Sequence, residues 1–126
     1  MKYLVTGGAG FIGSHLVERL LKFNNKVIVL DNCSTGRKAN IDSFKGLKFI
    51  KSDISKRGSW EKYFKGIDCV FHIAALADIV PSINNPVKYY QSNVNGTLNV
   101  LEACKKYSVK KLIYTASSSC YGIPKK

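Results

Sequence analysis

The sequence predicts an α/β fold in which helices cover both faces of an open, doubly wound sheet of parallel strands. Short, almost continuously apolar runs, which suit strands buried on both faces, alternate with longer stretches whose apolar residues recur at helical spacing. A glycine-rich turn joins the first apolar run to the first helical stretch. Strands that alternate with helices pair in parallel through right-handed crossovers, and ligands bind beyond the carboxyl ends of the strands.

Three strands are predicted in the first half of the chain. The run KYLVT, residues 2–6, ends at a glycine, and the apolar residues between Phe11 and Phe23 then recur at helical spacing. The β-branched run KVIVLD, residues 26–31, predicts a buried strand. The segment STGRKAN predicts a loop, and the alternating run LKFIKSD, residues 47–53, predicts the third strand.

Two further strands are predicted in the second half. The segment GSWEKYF predicts a short helix with Ser59 as its N-cap. The buried run IDCVFHIAA predicts the fourth strand, and a loop is expected through Pro81 and Pro86. A long helical pattern runs from about Val87 to Tyr107, and KKLIYTAS predicts the fifth strand.

Composition excludes several classes of protein. A chain of 126 residues suits one domain, 1–126, and no apolar run is long enough to cross a membrane. The four cysteines lack Cys-x-x-Cys spacing, give no metal-binding pattern with the two histidines, and favour a reduced, cytoplasmic setting. The net charge of +12 comes from lysines spread along the chain without an arginine cluster. We interpret them as a solvated surface and expect no nucleic acid or membrane partner.

The glycine-rich turn has the form of a dinucleotide-binding motif. Its glycines fit both Gly8-x-Gly10-x-x-Gly13 and Gly7-x-x-Gly10-x-x-Gly13. In this motif one glycine permits the turn, another lets the backbone approach a pyrophosphate, and the third lets helix and strand pack closely. Because the turn follows a strand and opens a helix, whose N-terminal N–H groups attract anions, it predicts a Rossmann-type sheet, here truncated after about five strands.

An acidic residue ends the second predicted strand. Asp31 follows the glycine motif by roughly 20 residues, the spacing at which a carboxylate accepts hydrogen bonds from the adenosine ribose. Its charge would repel a 2′-phosphate, so the sequence favours NAD over NADP as the cofactor. Arg37 and Lys38 follow closely and leave NADP open.

Six segments strengthen this interpretation in order along the whole chain: VTGGAGFIGSHL, LDN, SDI, FHIAALA, NVNGTLNVLEA and SSSCYG. Together they resemble the N-terminal half of the extended short-chain dehydrogenase/reductase family. The resemblance is greatest to the NAD-dependent nucleotide-sugar epimerases and dehydratases of the UDP-glucose 4-epimerase type. It implies an NAD-binding Rossmann domain from which the C-terminal substrate region is absent.

The resemblance also implies positions around the cofactor. Phe11 and Ile12 would lie at the pyrophosphate, and Asp53 would accept from the exocyclic amine of the adenine. Small alanines would let the flat cofactor lie against the end of the fourth strand. Asn93 fits the nicotinamide-side ribose or, as an alternative, a hydrogen bond from helix to sheet. The implied cofactor-binding set is Gly7, Gly10, Phe11, Ile12, Gly13, Asp31, Asn32, Ser34, Thr35, Gly36, Asp53, Ile54, Ala74, Ala75, Ala77, Ser92 and Asn93.

The same resemblance implies a catalytic hydroxyl on Ser117, which would hydrogen-bond the substrate oxygen and help to move its proton. The base of the family is a tyrosine activated by a lysine four residues later. Tyr107-Lys111 crosses from a helix end into a strand, and Tyr121-Lys125 is interrupted by glycine and proline. Neither pair should lie on one helix face, so we expect the chain alone to be inactive.

Three functions fit these observations. We favour the NAD-binding portion of a nucleotide-sugar 4-epimerase-like enzyme, which would take a nucleotide sugar only in a complete enzyme. The alternatives are a non-catalytic dinucleotide-binding or sensing module and a basic nucleic-acid-binding protein. Self-association as a homo-oligomer, in the simplest case a dimer, is also expected, because the last strand would leave an open edge and the long helix an uncovered apolar face.

Overall fold

The computed structural model describes residues 1–117 and 121–122. Its sheet runs in the order β3-β2-β1-β4-β5 with every neighbouring pair parallel, so the chain builds outwards from β1 to one edge and then returns across β1 to build the other. The predicted Rossmann-type, doubly wound α/β sheet is confirmed. The strands are β1 (Lys2–Thr6), β2 (Lys26–Asp31), β3 (Leu47–Lys51), β4 (Cys69–His72) and β5 (Lys111–Tyr114).

Helices connect these strands. The glycine turn leads into α1 (Phe11–Lys22), and two 3-10 turns precede and follow β3 at Lys38–Asn40 and Ser59–Phe64. None of the helices in the described part of the chain is long and apolar enough to span a membrane. After β4 come α2 (Ile79–Asn84), α3 (Pro86–Tyr90), a π-helical segment (Gln91–Asn95) and α4 (Gly96–Lys106), of which the last three follow one another without a break.

Three local predictions are wrong. Residues around Pro81 form helix α2 instead of a loop, because Pro81 stands in the first turn, where a helix has no use for its missing N–H. The segment predicted as a loop at 34–40 ends in a 3-10 turn. Ser59 is the first residue of its turn instead of the N-cap, which is Gly58; the N–H of Gly58 donates to Glu61 Oε1 at 3.4 Å.

Two apolar clusters cover the two faces of the sheet. Successive residues of a strand point to opposite faces, so Leu4 packs in the same cluster as Val100 of α4, whereas Val5 packs in the same cluster as Val17 of α1. All four side chains are completely buried. Because apolar side chains fill both faces of the sheet, polar side chains that could bind a ligand are expected at the ends of the strands.

Candidate functional site

A cleft of about 720 Å³ lies at the carboxyl ends of the strands. It is centred where β1 and β4 neighbour each other although β2 and β3 intervene in the chain, which is the switch point of the sheet. Every residue predicted for the cofactor, and Ser117 as well, lines this cleft. The structure therefore brings the whole predicted set together, while the roles assigned to its members remain predictions.

The glycine turn leaves no room for side chains at two of its positions. Gly7 has a φ of +72°, and a Cβ there would lie 2.7 Å from the backbone nitrogen of Ala74. A Cβ on Gly13 would collide with the carbonyl oxygen of Gly7 and lie 2.7 Å from the Cα of Gly8. The turn, the start of α1 and the exit of β4 are thus packed backbone against backbone.

The structure also decides between the two glycine patterns. Gly8 points away from the cleft, since a Cβ on it would lie 2.7 Å from both Cγ atoms of Val29 in the core. Gly7, Gly10 and Gly13 line the cleft instead. The pattern Gly7-x-x-Gly10-x-x-Gly13 is therefore the one that faces a ligand, and Gly8 serves the packing of the turn on β2.

Helix α1 begins at the cleft without a side-chain cap. Its N-cap is Gly10, in extended conformation, and its first turn carries no acidic residue. Because the first N–H groups of a helix have no acceptor within the helix, they carry partial positive charge towards the cleft. Phe11 and Ile12 stand exposed at the rim, where the Phe11 ring packs on His15 with the ring centres 4.7 Å apart.

Asp31 is a buried carboxylate that organises two loops. Its Oδ2 accepts from the N–H of Ala9 at 2.9 Å, and its Oδ1 accepts from the N–H of Cys33 at 2.8 Å. Each oxygen has a second lone pair available for a ligand hydroxyl. Gly36 completes the contact between the loops, because a Cβ there would lie 2.8 Å from the backbone of Ala9.

The loop after β3 is held by polar contacts to its own backbone and to α4. Asp53 Oδ1 accepts from the N–H of Ser55 at 2.9 Å. The side-chain amide of Asn99 donates to the carbonyl of Ile54 at 2.9 Å, and Gly96 leaves space for the Ile54 side chain. Asp53 and Ile54 consequently reach the cleft from a fixed loop.

The segment after β4 is clamped to the π-helical segment. Asn93 accepts from the N–H of Leu76 at 2.9 Å and donates from its amide to the carbonyl of Leu76 at 2.8 Å. Through this paired contact Asn93 joins the π-helical segment to the segment that follows β4, in which Ala74, Ala75 and Ala77 line the cleft.

Sequence reasoning missed three polar residues below this segment: Thr6, His72 and Thr97. His72 Nδ1 lies 2.6 Å from Thr6 Oγ1, and His72 Nε2 lies 2.9 Å from Thr97 Oγ1. Burial lowers the pKa of His72 to about 4, so its ring is neutral at pH 7. A lone histidine in an apolar run gives no sign of its partners, which depend on the pairing of Thr6 with His72 across β1 and β4.

The two Tyr-Lys pairs differ in how much of them the structure describes. Tyr107 directly follows α4, and Lys111 is the first residue of β5, so this pair does not share a helix face, as predicted. Tyr121 is 91% exposed, and Lys125 lies outside the described residues. Within the described part of the chain, no group of three His, Cys, Asp or Glu residues is arranged to hold a metal ion.

The parallel sheet, the glycine turn at its switch point and the carboxylate at the end of β2 define a Rossmann-type nucleotide-binding protein. The sequence profile of the NAD dependent epimerase/dehydratase family matches residues 3–126. The chain belongs to this family.

Individual relatives agree with this membership. The UDP-glucose 4-epimerase of Lactobacillus helveticus is 42% identical over 128 residues, which cover 100% of this chain and 38% of the relative. The UDP-glucose 4-epimerase of Thermus thermophilus, in complex with NAD, has a TM-score of 0.82 and 45% identity, covering 89% of this chain and 36% of that one. The UDP-glucose 4-epimerase of Thermotoga maritima, with UDP-glucose, has a TM-score of 0.92 and 38% identity, and the match covers 100% of this chain and 41% of that one. The chain thus spans 36% to 41% of the length of these relatives.

Proposed function

We propose that these 126 residues form the NAD-binding portion, a single domain over 1–126, of a nucleotide-sugar 4-epimerase-like enzyme. The observation that carries the proposal is the cleft at the switch point of the sheet. The glycine turn and Asp31 meet there with the segment after β4 that contains Ala74, Ala75 and Ala77, which we call the alanine segment. An added Cβ at Gly7 or Gly13 would clash with the backbone, and a turn without side chains suits a ligand that must approach the main chain closely. The family, and relatives described with NAD and with UDP-glucose, support the same function.

The residues present fit NAD. The N-terminus of α1, with Gly10 and Gly13, would hold the pyrophosphate through main-chain N–H groups. Asp31 would accept from the adenosine ribose with the lone pairs that its internal hydrogen bonds leave over, and Asp53 would accept from the adenine amine. Ser92 and the alanine segment would line the nicotinamide side. When bound, NAD supplies the hydride acceptor of the reaction.

Cofactor choice follows from charge at the end of β2. A 2′-phosphate on the adenosine ribose would meet the Asp31 carboxylate, which is held in place by two backbone N–H groups. Lys38 is engaged elsewhere, since its Nζ lies 3.3 Å from Asp42 Oδ1 and 6.0 Å from the centre of the Phe49 ring. Arg37 is exposed and would be the cation nearest in sequence to receive such a phosphate. We therefore expect NAD to bind more tightly than NADP.

Ser117 would act on the substrate. It lies in the cleft beyond the end of β5, and its hydroxyl would hydrogen-bond the sugar oxygen whose proton has to move. Since Tyr107 follows the end of α4 and Lys111 begins β5, that pair supplies no activated base. We expect the chain alone to bind NAD without turnover, and a nucleotide sugar to bind only in a complete enzyme.

Homodimer formation would use the long helix, by which we mean the continuous run of α3, the π-helical segment and α4. Its exposed apolar residues recur every three or four positions and therefore share one face, on which a second copy would cover them. We expect this face to associate in preference to the edge of β5. The exposed residues are Val87, Tyr90, Val94, Leu98 and Leu101.

The cysteines support a reducing, cytoplasmic location. Cys33, Cys69 and Cys104 are free thiols, and the last two are buried. Burial raises the pKa of Cys104 to about 11, which keeps this thiol protonated and unreactive. Cysteines that pack as small apolar side chains suit a compartment in which thiols stay reduced.

Titration calorimetry with NAD and NADP tests the proposal, followed by an assay of UDP-glucose and UDP-galactose interconversion. We expect NAD binding that exceeds NADP binding, with no interconversion by the chain alone. Interconversion would overturn the expected inactivity. A chain that binds neither dinucleotide but is retained on DNA in a salt-sensitive manner would instead be a basic nucleic-acid-binding protein.

A further inference from the structure

A continuous run of hydrogen bonds passes beneath the cleft. The N–H groups of Ile73 and Ala74 donate to Thr6 Oγ1 at 3.2 and 3.3 Å. Thr6 Oγ1 lies 2.6 Å from His72 Nδ1, and His72 Nε2 lies 2.9 Å from Thr97 Oγ1. The run therefore starts at the cleft-lining segment after β4 and crosses the sheet to the helix that follows.

The far end of the run returns to the same segment. Thr97 Oγ1 donates to the carbonyl of Asn93 at 2.6 Å, and the side chain of Asn93 forms its two hydrogen bonds with Leu76. The segment from Ile73 to Leu76 is thus tied at its start through Thr6 and at its end through Asn93. We call Thr6, His72, Thr97 and Asn93 the threonine–histidine relay.

The donor and acceptor capacities of its partners indicate which ring nitrogen of His72 carries the hydrogen. A carbonyl has no hydrogen to share, so the hydrogen between Thr97 Oγ1 and the Asn93 carbonyl belongs to Thr97. His72 Nε2 must then carry a hydrogen and donate to Thr97, which leaves Nδ1 as the acceptor for the Thr6 hydroxyl. A second proton on the ring would meet a hydroxyl oxygen that already accepts from two backbone N–H groups. The relay is satisfied by one neutral tautomer of His72.

His72 also contacts the segment that leads to Ser117. Its ring stacks on Tyr114 with the ring centres 5.6 Å apart, and its carbonyl accepts from the N–H of Thr115 at 3.2 Å. One buried residue therefore touches both segments that border the nicotinamide side of the cleft in the proposed function.

We propose that His72 and Thr97 are positioning residues for the cofactor, and that the relay holds the segment from Ile73 to Leu76 in the conformation that NAD requires. The inference rests on the proposed function for its ligand but not for its geometry. Removing the Thr97 hydroxyl would leave the His72 N–H without its acceptor and would remove the side-chain donor to the Asn93 carbonyl, and the clamp on Leu76 would loosen.

The test compares three variants of the full chain. Thr97→Val keeps the shape of the side chain and removes the hydroxyl, Thr97→Ser restores the hydroxyl, and Val100→Ala destabilises the same helix from its buried face. Calorimetry gives the NAD affinity, amide hydrogen exchange reports the Leu76 N–H, and nitrogen NMR of the histidine ring gives the tautomer. We expect Thr97→Val to weaken NAD binding about tenfold, the effect of roughly one hydrogen bond, and to speed Leu76 exchange.

The controls separate positioning from stability. We expect Thr97→Ser to bind NAD within about twofold of the original chain and Val100→Ala to lower the unfolding temperature with NAD affinity kept. Equal loss of affinity in Thr97→Val and Val100→Ala, or a hydrogen on His72 Nδ1 instead of Nε2, would overturn the proposal. If the unmodified chain binds no NAD, the proposed function fails, while the tautomer and Leu76 exchange still decide the relay.

Discussion

At Gly13 the addition of a single methyl group decides whether the turn can exist. The Cβ of an alanine would strike the carbonyl oxygen of Gly7, and neither backbone can move without opening the contact between α1 and β1. We expect Gly13→Ala to lower NAD affinity by at least about tenfold in titration calorimetry, because the N–H groups of α1 would be displaced. Gly58→Ala is the matched control, since its Cβ would meet Trp60 at an ordinary 3.7 Å. Equal affinities for the two variants would contradict this account of the turn.

His72 makes stability depend on pH. Its pKa falls from 6.5 in the unfolded chain to about 4 in the folded one, so between these values the unfolded chain binds the proton and the folded chain does not. The free energy of unfolding should therefore decrease as pH falls from 6.5 to 4, with His72 contributing about 3 kcal/mol of the loss. Urea unfolding at several pH values checks this, with His72→Gln as the reference. If His72→Gln lost as much stability as the original chain between pH 6.5 and 4, His72 would not be the group responsible.

At the level of elements, the uncovered face of the long helix has a measurable consequence. Replacing Leu98 and Leu101 together by glutamine removes apolar surface from that face, and we expect the dimer to dissociate at least about ten times more readily. Sedimentation equilibrium measures this. Lys22→Gln, at the end of α1 on the opposite face of the sheet, is the control and should leave the dimer unchanged. A chain that is monomeric at micromolar concentration before any substitution would argue against association through this face.

The elements differ in how well the sequence predicted them. All five strands were predicted, because β1, β2, β4 and β5 each contain a short apolar run and β3 alternates apolar with polar residues. Helix α2 was not predicted, since a proline suggests a break in a helix. Pro81 is tolerated because it lies in the first turn of α2. The π-helical segment at Gln91–Asn95 was predicted as ordinary helix, because its extra residue per turn leaves no trace in the apolar pattern.

For the whole molecule, ligand binding and folding are linked. If NAD binds only the folded chain, a concentration one hundred times its Kd should raise the free energy of unfolding by about 2.7 kcal/mol. We expect NADP at the same concentration to raise it less, because its 2′-phosphate faces Asp31. Thermal unfolding with each dinucleotide measures both effects. Asp31→Asn should reduce the difference between the stabilisation by NAD and the stabilisation by NADP. Equal stabilisation of the original chain by the two dinucleotides would refute the role of this carboxylate.

The sequence by itself determined the sheet, the turn and the place of the cleft. Apolar runs specify buried strands, glycines mark where backbones touch, and Asp31 follows the second strand, so a local pattern carries each of these features. Only the tertiary structure showed that Gly8 faces the core, that Asn93 clamps Leu76, and that His72 links two threonines. These contacts depend on which strands neighbour each other and in which register. Residues that are 66 positions apart, such as Thr6 and His72, become partners only when β1 and β4 pair.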